Sequence, residues 1–154
     1  MENEILRWHF CRCGHEDEEF EEWTIPFFEQ ARQGRFTIVL SDVTLRELTP
    51  APLHIRQLIE TIPDPYLKLV FLAEEQGILA QHYIEEGAQT PKFESDAQHI
   101  AIATILKVES LVSWNFKHMV SFFRIKQYNL INFKFGYLTI DIRTPKEVTY
   151  GDEN

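Results

Sequence analysis

From Glu18 onward the chain alternates two kinds of hydrophobic pattern. Stretches with apolar residues at helical spacing are separated by short runs that are apolar throughout. Glu18–Arg32 reads as a helix with an acidic first half, interrupted near Pro26 and closed by Gly34. The run FTIVL at 36–40 is short and rich in β-branched residues, which suits a strand buried on both faces. A helix beginning at 44 is cut by Pro50 and Pro52, and further helical spacing covers 54–61, 65–76 and 79–86. A long helix is predicted over 96–108, then a strand SLVSW at 110–114 and a last apolar piece YLTIDI at 137–142, ended by Pro145. Strands separated by helical patterns predict an α/β fold with a mainly parallel sheet and helices on both faces. Ligands of such sheets sit at the carboxyl ends of the strands, so chemistry should be sought there.

At 154 residues the chain suits a single domain that buries roughly two-thirds of its unfolded surface. Its two cysteines, Cys11 and Cys13, are too few and too close for a disulfide scaffold, and no basic-then-apolar leader opens it. Its apolar runs stop short of a membrane span. The expectation is a cytoplasmic protein with no membrane partner.

The net charge of -9 is unevenly placed. Residues 1–30 carry nine acids against two basic residues, whereas 111–140 contains no acid and four cations: Lys117, Arg124, Lys126 and Lys134. An acidic total therefore leaves room for a polyanion at one face. Trp114, Phe116, Phe122, Phe123, Tyr128, Phe133, Phe135 and Tyr137 lie among these cations, the mixture that single-stranded nucleic acid favours. Many of these aromatics fall on apolar periods beside Leu130 and Ile131 and are expected in the core. Lys117, Arg124 and Lys126 are the candidate phosphate contacts.

Three oxygen-bearing side chains stand beside strand ends or helix starts. Glu47 closes TLRE and Asp96 lies in SDAQ, and each fits a helix-capping pattern as readily as a catalytic one. If they converge, their mutual repulsion calls for a hard cation, and Mg²⁺ or Mn²⁺ is satisfied by few oxygen ligands plus water. Asn115, after SLVSW, offers a neutral oxygen or simply a turn. His99 heads the apolar face of its helix and is expected as a hydrogen-bonded packing residue before a ligand. His9, Cys11, Cys13 and His15 could hold zinc, but their one-residue spacings differ from the usual zinc-knuckle spacing.

Taken together, FTIVLSDVTLREL, ESDAQHIAIATILKVESLVSWNFKHMV and LINFKFGYLTIDIRTPKEV resemble the PIN-domain family, in the branch related to VapC toxins. The resemblance spans residues 18–150 as the domain, with 1–17 an atypical N-terminal segment and 151–154 a tail. It implies a three-layer α/β fold and a Mg²⁺- or Mn²⁺-dependent ribonuclease of a toxin–antitoxin pair. By position, Glu47 and Asp96 would hold metal, with Asn115 completing the catalytic set where many relatives have a further aspartate. The usual partners would be RNA, an antitoxin-like protein and a second copy of the chain.

The family opens with an apolar strand, the middle one of the sheet, ending in a metal-binding aspartate and small residues. Here that place is taken by MENEILRWHFCRCGH, with no aspartate before Asp17, and the expected position falls near Trp8. Leu6, Trp8 and Phe10 alternate with Arg7 and His9, a strand pattern with one polar face. Codons for Trp8 to Cys11 read one base later permit Gly-Thr-Ser-Val, the small-residue tail of the family with glycine in place of the aspartate. A site short of this carboxylate should bind metal weakly, and the alternative function is an inactive PIN-like module that binds protein.

Overall fold

A computed structural model describes residues 4–9, 18–49, 53–113 and 121–149. Five strands form one sheet: β1 (Glu4–His9), β2 (Thr37–Ser41), β3 (Leu67–Val70), β4 (Ser110–Ser113) and β5 (Ile142–Arg143). All pairings are parallel and the spatial order is β3-β2-β1-β4-β5, so β1 is the middle strand despite its polar alternation. The helices are α1 (Glu18–Arg32), α2 (Asp42–Leu48), α3 (Leu53–Glu60), α4 (Glu74–Glu85), α5 (Glu94–Leu106), α6 (Phe122–Lys134) and the short α7 (Pro145–Val148). The fold is α/β, as the alternation predicts.

Two cores lie on opposite faces of the sheet, because neighbouring residues of β4 divide between them. Val112 joins Phe27, Phe28 and Ala31 of α1, Ile38 and Leu40 of β2, and Leu48 of α2. Leu111 joins Leu79 and Tyr83 of α4, Ile100 and Ala101 of α5, and Tyr128 and Ile131 of α6. Successive side chains of a strand point to opposite faces, so one strand serves both cores. Complete burial of Phe27 and Phe28 is worth about 2–3 kcal/mol each. That explains why α1 continues through Pro26 where an interruption was expected: the lost hydrogen bond is offset by packing.

Several elements depart from the pattern-based expectation. The stretch 65–76 is not one helix. Pro65 sits in a single 3₁₀ turn, Leu67–Val70 pairs with β2 at the sheet edge, and α4 starts only at Glu74. An apolar run such as LKLVFL suits either state, and the exposed backbone edge of β2 selects the strand. The final strand is reduced to Ile142–Arg143, and α6 occupies part of the acid-free region that suggested no element.

The turn after α1 depends on glycine. Gly34 has φ +77°, and a Cβ built there would lie 2.5 Å from Cζ of the Tyr66 ring. Gly34→Ala should cost about 2 kcal/mol, from the left-handed backbone and the ring it displaces. Urea denaturation measures this; an unchanged midpoint would show that the turn tolerates a side chain.

Inside the second core, the Tyr83 hydroxyl donates to Asn132 Oδ1, and Asn132 Nδ2 donates to Thr104 Oγ1 at 3.2 Å. Gln89 Nε2 donates to the Tyr128 hydroxyl at 3.0 Å. Burial pushes the Tyr83 phenol far up and the Tyr128 phenol up to about 12, the latter with help from the nearby Asp96 carboxylate. Both protons are retained longer in the folded chain than in the unfolded one. The contribution of Tyr128, about 2–3 kcal/mol, is complete below about pH 10 and is lost as pH climbs towards 12, while that of Tyr83 begins to fall in the same window and goes on falling above it. Melts between pH 9 and pH 12 should show stability falling along that window; a flat profile would contradict the buried-phenol account.

Candidate functional site

The candidate site grows from the junction of β2 and α2. Ser41 ends the strand and caps the helix, its Oγ accepting from Thr44 N at 3.3 Å. The capping role expected of Thr44 and Glu47 is therefore taken by Ser41, three residues earlier. Asp42 Oδ1 accepts from Leu72 N at 2.9 Å, which ties the segment after β3 to the start of α2 and commits this acid to structure. Glu47, released from capping, lies in the second turn of α2.

The other wall is α5. This helix opens at Glu94, with Phe93 in the capping position and no side-chain cap, so SDAQ does not form a capping box. Asp96 is in the first turn and only 2% exposed, and His99, one turn further on, is fully buried. The imidazole Nε2 of His99 lies 3.1 and 3.2 Å from the two carboxylate oxygens of Glu47. His99 is thus the hydrogen-bonded packing residue that its place at the head of an apolar face predicts. Residues three apart on a helix share a face, so the contact brings Glu47 of α2 to the face of α5 that carries Asp96.

Between the two helices opens a cleft of about 410 Å³, lined by Val43, Arg46, Glu47, Glu94, Ser95 and Gln98. Glu47 and Glu94 are its acids and Arg46 its cation, while Asp96 is not part of the lining. Among the described residues no three His, Cys, Asp or Glu side chains form a metal-binding group. The donors present are oxygens, the type Mg²⁺ and Mn²⁺ require. The Thr44 hydroxyl oxygen, one turn before Glu47, is buried with no hydrogen-bond partner among the described residues. The site therefore fits a hard cation in donor chemistry but supplies only a partial set from the described residues. No family model, curated protein or solved structure matches this chain.

Asn115 and Lys117 lie outside the described residues, as do the zinc candidates Cys11, Cys13 and His15. Only the backbone of His9 and of Trp8, near which the family's aspartate would fall, is described. Arg124 donates from Nη1 to the Ala88 carbonyl at 3.0 Å and to Gln89 Oε1 at 3.4 Å, so its guanidinium clasps the connection between α4 and α5. Lys126 is exposed on α6. Of the aromatics in this region, Tyr128 is core, whereas Phe122, Phe123 and Phe133 are exposed. The expectation that many of them pack inside holds for Tyr128 and, at the core's margin, for Phe135 and Tyr137, while Phe122, Phe123 and Phe133 point away because α6 turns its Tyr128–Ile131–Asn132 side to the sheet.

Two features escaped the sequence reading: the pairing of Glu47 with His99 and the place of Glu94 and Arg46 in the cleft. The three-residue step from Asp96 to His99 marks a shared helical face, but only the tertiary approach of α2 names the partner.

Proposed function

We propose that this chain is a PIN-like ribonuclease of the toxin–antitoxin type, dependent on Mg²⁺ or Mn²⁺ and built as a sheet between two helical layers. The observation that carries this reading is the Glu47–His99 contact, which draws the acid after the second strand to the helix face bearing Asp96. The middle position of β1 also agrees with the role of the first strand in that family. Glu47 and Asp96 would hold the ion, with Asn115 as the third catalytic side chain. When bound, the ion supplies Lewis-acid polarisation of the phosphate and a water acidified for attack. His99 orients the Glu47 carboxylate through both oxygens, and Arg46 gives the cleft one positive charge to meet a phosphate. Lys117 and Lys126 remain the proposed RNA contacts; Arg124 acts on RNA only if it leaves its backbone carbonyl. The inferred partners are RNA, an antitoxin-like protein and a second copy, in the cytoplasm.

A second reading, an inactive module that binds protein, is favoured by one observation. Both Glu47 oxygens already face an imidazole, and no three His, Cys, Asp or Glu side chains among the described residues come together as a metal-binding group. Incubating the full chain with single-stranded RNA while titrating Mg²⁺ or Mn²⁺ separates the two. Cleavage that rises with metal and vanishes in Asp96→Asn supports the nuclease. No cleavage, or cleavage indifferent to that substitution, leaves the binding module.

A further inference from the structure

The cleft between α2 and α5 holds polar groups that metal binding leaves idle. Its acids are Glu47 and Glu94, and Glu47 already faces the His99 imidazole through both oxygens. Arg46, Glu94, Ser95 and Gln98 line the same space, and none of their side chains makes a hydrogen bond or ion pair with another described residue. Glu94 and Gln98 stand about one turn apart on α5, so a carboxylate and an amide sit side by side on one wall. Arg46 belongs to the other wall, on α2, where the buried Val43 adds an apolar surface. At about 410 Å³ the space falls within the usual range of ligand pockets.

This donor and acceptor set matches the edge of one nucleobase. A carboxylate accepts at two oxygens and donates nothing, so it selects a partner with two neighbouring donors. Among the standard RNA bases guanine supplies them on its Watson–Crick edge, at N1 and at the exocyclic N2, with the O6 acceptor beside N1. Adenine, cytosine and uracil each offer a single donor group there. Glu94 can thus take both guanine donors while Gln98 Nε2 donates to O6, and residues four apart on a helix, about 5–6 Å between Cβ atoms, suit the width of that edge. Bonds to an ionised acceptor are about twice as strong as neutral ones. Single-stranded RNA leaves such edges open to side chains, and Arg46 on the facing wall is left to meet the phosphate beside the base.

We propose that the cleft is a guanine-reading subsite for single-stranded RNA, with Glu94 and Gln98 as its specificity-determining residues. The inference rests on the nuclease reading, which puts the Glu47 end of the cleft at the scissile phosphate, and it names the base that stands next to the cut.

Fluorescence anisotropy of the full chain with labelled RNA hexamers tests the proposal in EDTA, where no metal is free to support cleavage. The probes are hexauridylate and its counterparts with one central guanine, adenine or cytosine, titrated with ~1–1000 μM protein. The guanine probe should bind about 10-fold or more tighter than the other three, the discrimination that one good bidentate pair provides. Glu94→Gln sets an amide donor against the guanine donors and should erase that margin. Gln98→Ala removes the donor to O6 and should narrow it. Neither side chain is buried in the core, and circular dichroism melts check that both variants fold. Equal affinity for the four probes, no binding by any of them, or a guanine margin that Glu94→Gln retains overturns the proposal. Adding excess Mn²⁺ to the same mixtures reads the nuclease separately. Guanine-selective binding without metal-dependent cleavage keeps the subsite and removes the nuclease, whereas cleavage with no guanine preference keeps the nuclease and removes the subsite.

Discussion

Asp96→Asn is expected, on the proposed nuclease reading, to reduce metal-dependent RNA cleavage by about 100-fold or more while leaving the fold in place. The two side chains have nearly the same shape, so the packing around this 2%-exposed position is kept. What is removed is one negative charge at a buried point, where a charge acts on a cation far more strongly than in water. Loss of a single preorganised electrostatic group at a reacting centre costs about 10²–10³ in rate. The structural cost is smaller, about 0.3–1 kcal/mol, from the favourable placing of an anion in the first turn of α5. A cleavage assay run beside a thermal melt separates the two effects. Equal loss of both, or a melt that collapses while residual activity per folded molecule is unchanged, would make Asp96 a structural acid.

His99→Ala should destabilise the chain by about 3 kcal/mol. The imidazole is fully buried, so its removal leaves a cavity where α5 meets α2 and also takes from the Glu47 carboxylate, 19% exposed, the group that meets both of its oxygens. Breaking a largely buried pair by removing one member costs more than the pair contributes, because the surviving charge stays desolvated. His99→Gln retains a donor and should recover part of the loss. In a double-mutant cycle with Glu47→Gln, the coupling should be about 1–3 kcal/mol. Urea denaturation of the four chains supplies the numbers. A cost below about 1 kcal/mol for His99→Ala, or additive single effects, would show that the contact holds nothing together.

Much of the architecture was legible because hydrophobic period reports burial. The strand around Ile38 to Leu40 is apolar throughout because both faces are covered, and the helix after Asp96 shows a dense apolar run because nearly all its length is interior. The failures are equally physical. LKLVFL at residues 67–72 suits helix or strand, and only the open edge of β2 decides between them. Pro26 signals a break that the burial of Phe27 and Phe28 overrides. Phe122, Phe123 and Phe133 of α6 look like core residues because composition cannot distinguish an interior helix face from an exposed one.

The candidate site divides in the same way. Glu47 and Asp96 could be singled out from the sequence, since carboxylates beside helix starts are visible without coordinates. Their chemistry could not be assigned there, because a capping acid and a metal-binding acid have the same local pattern. Tertiary structure gave the cap of α2 to Ser41, left the start of α5 without a side-chain cap, and turned Glu47 to a histidine fifty-two residues away. The sequence by itself determined the alternation of helix and strand, the positions of the acids and the uneven charge. Only the folded chain decided which side chains meet and which apolar face stays open, because local periodicity encodes burial while contact between distant residues arises from the packing of whole elements.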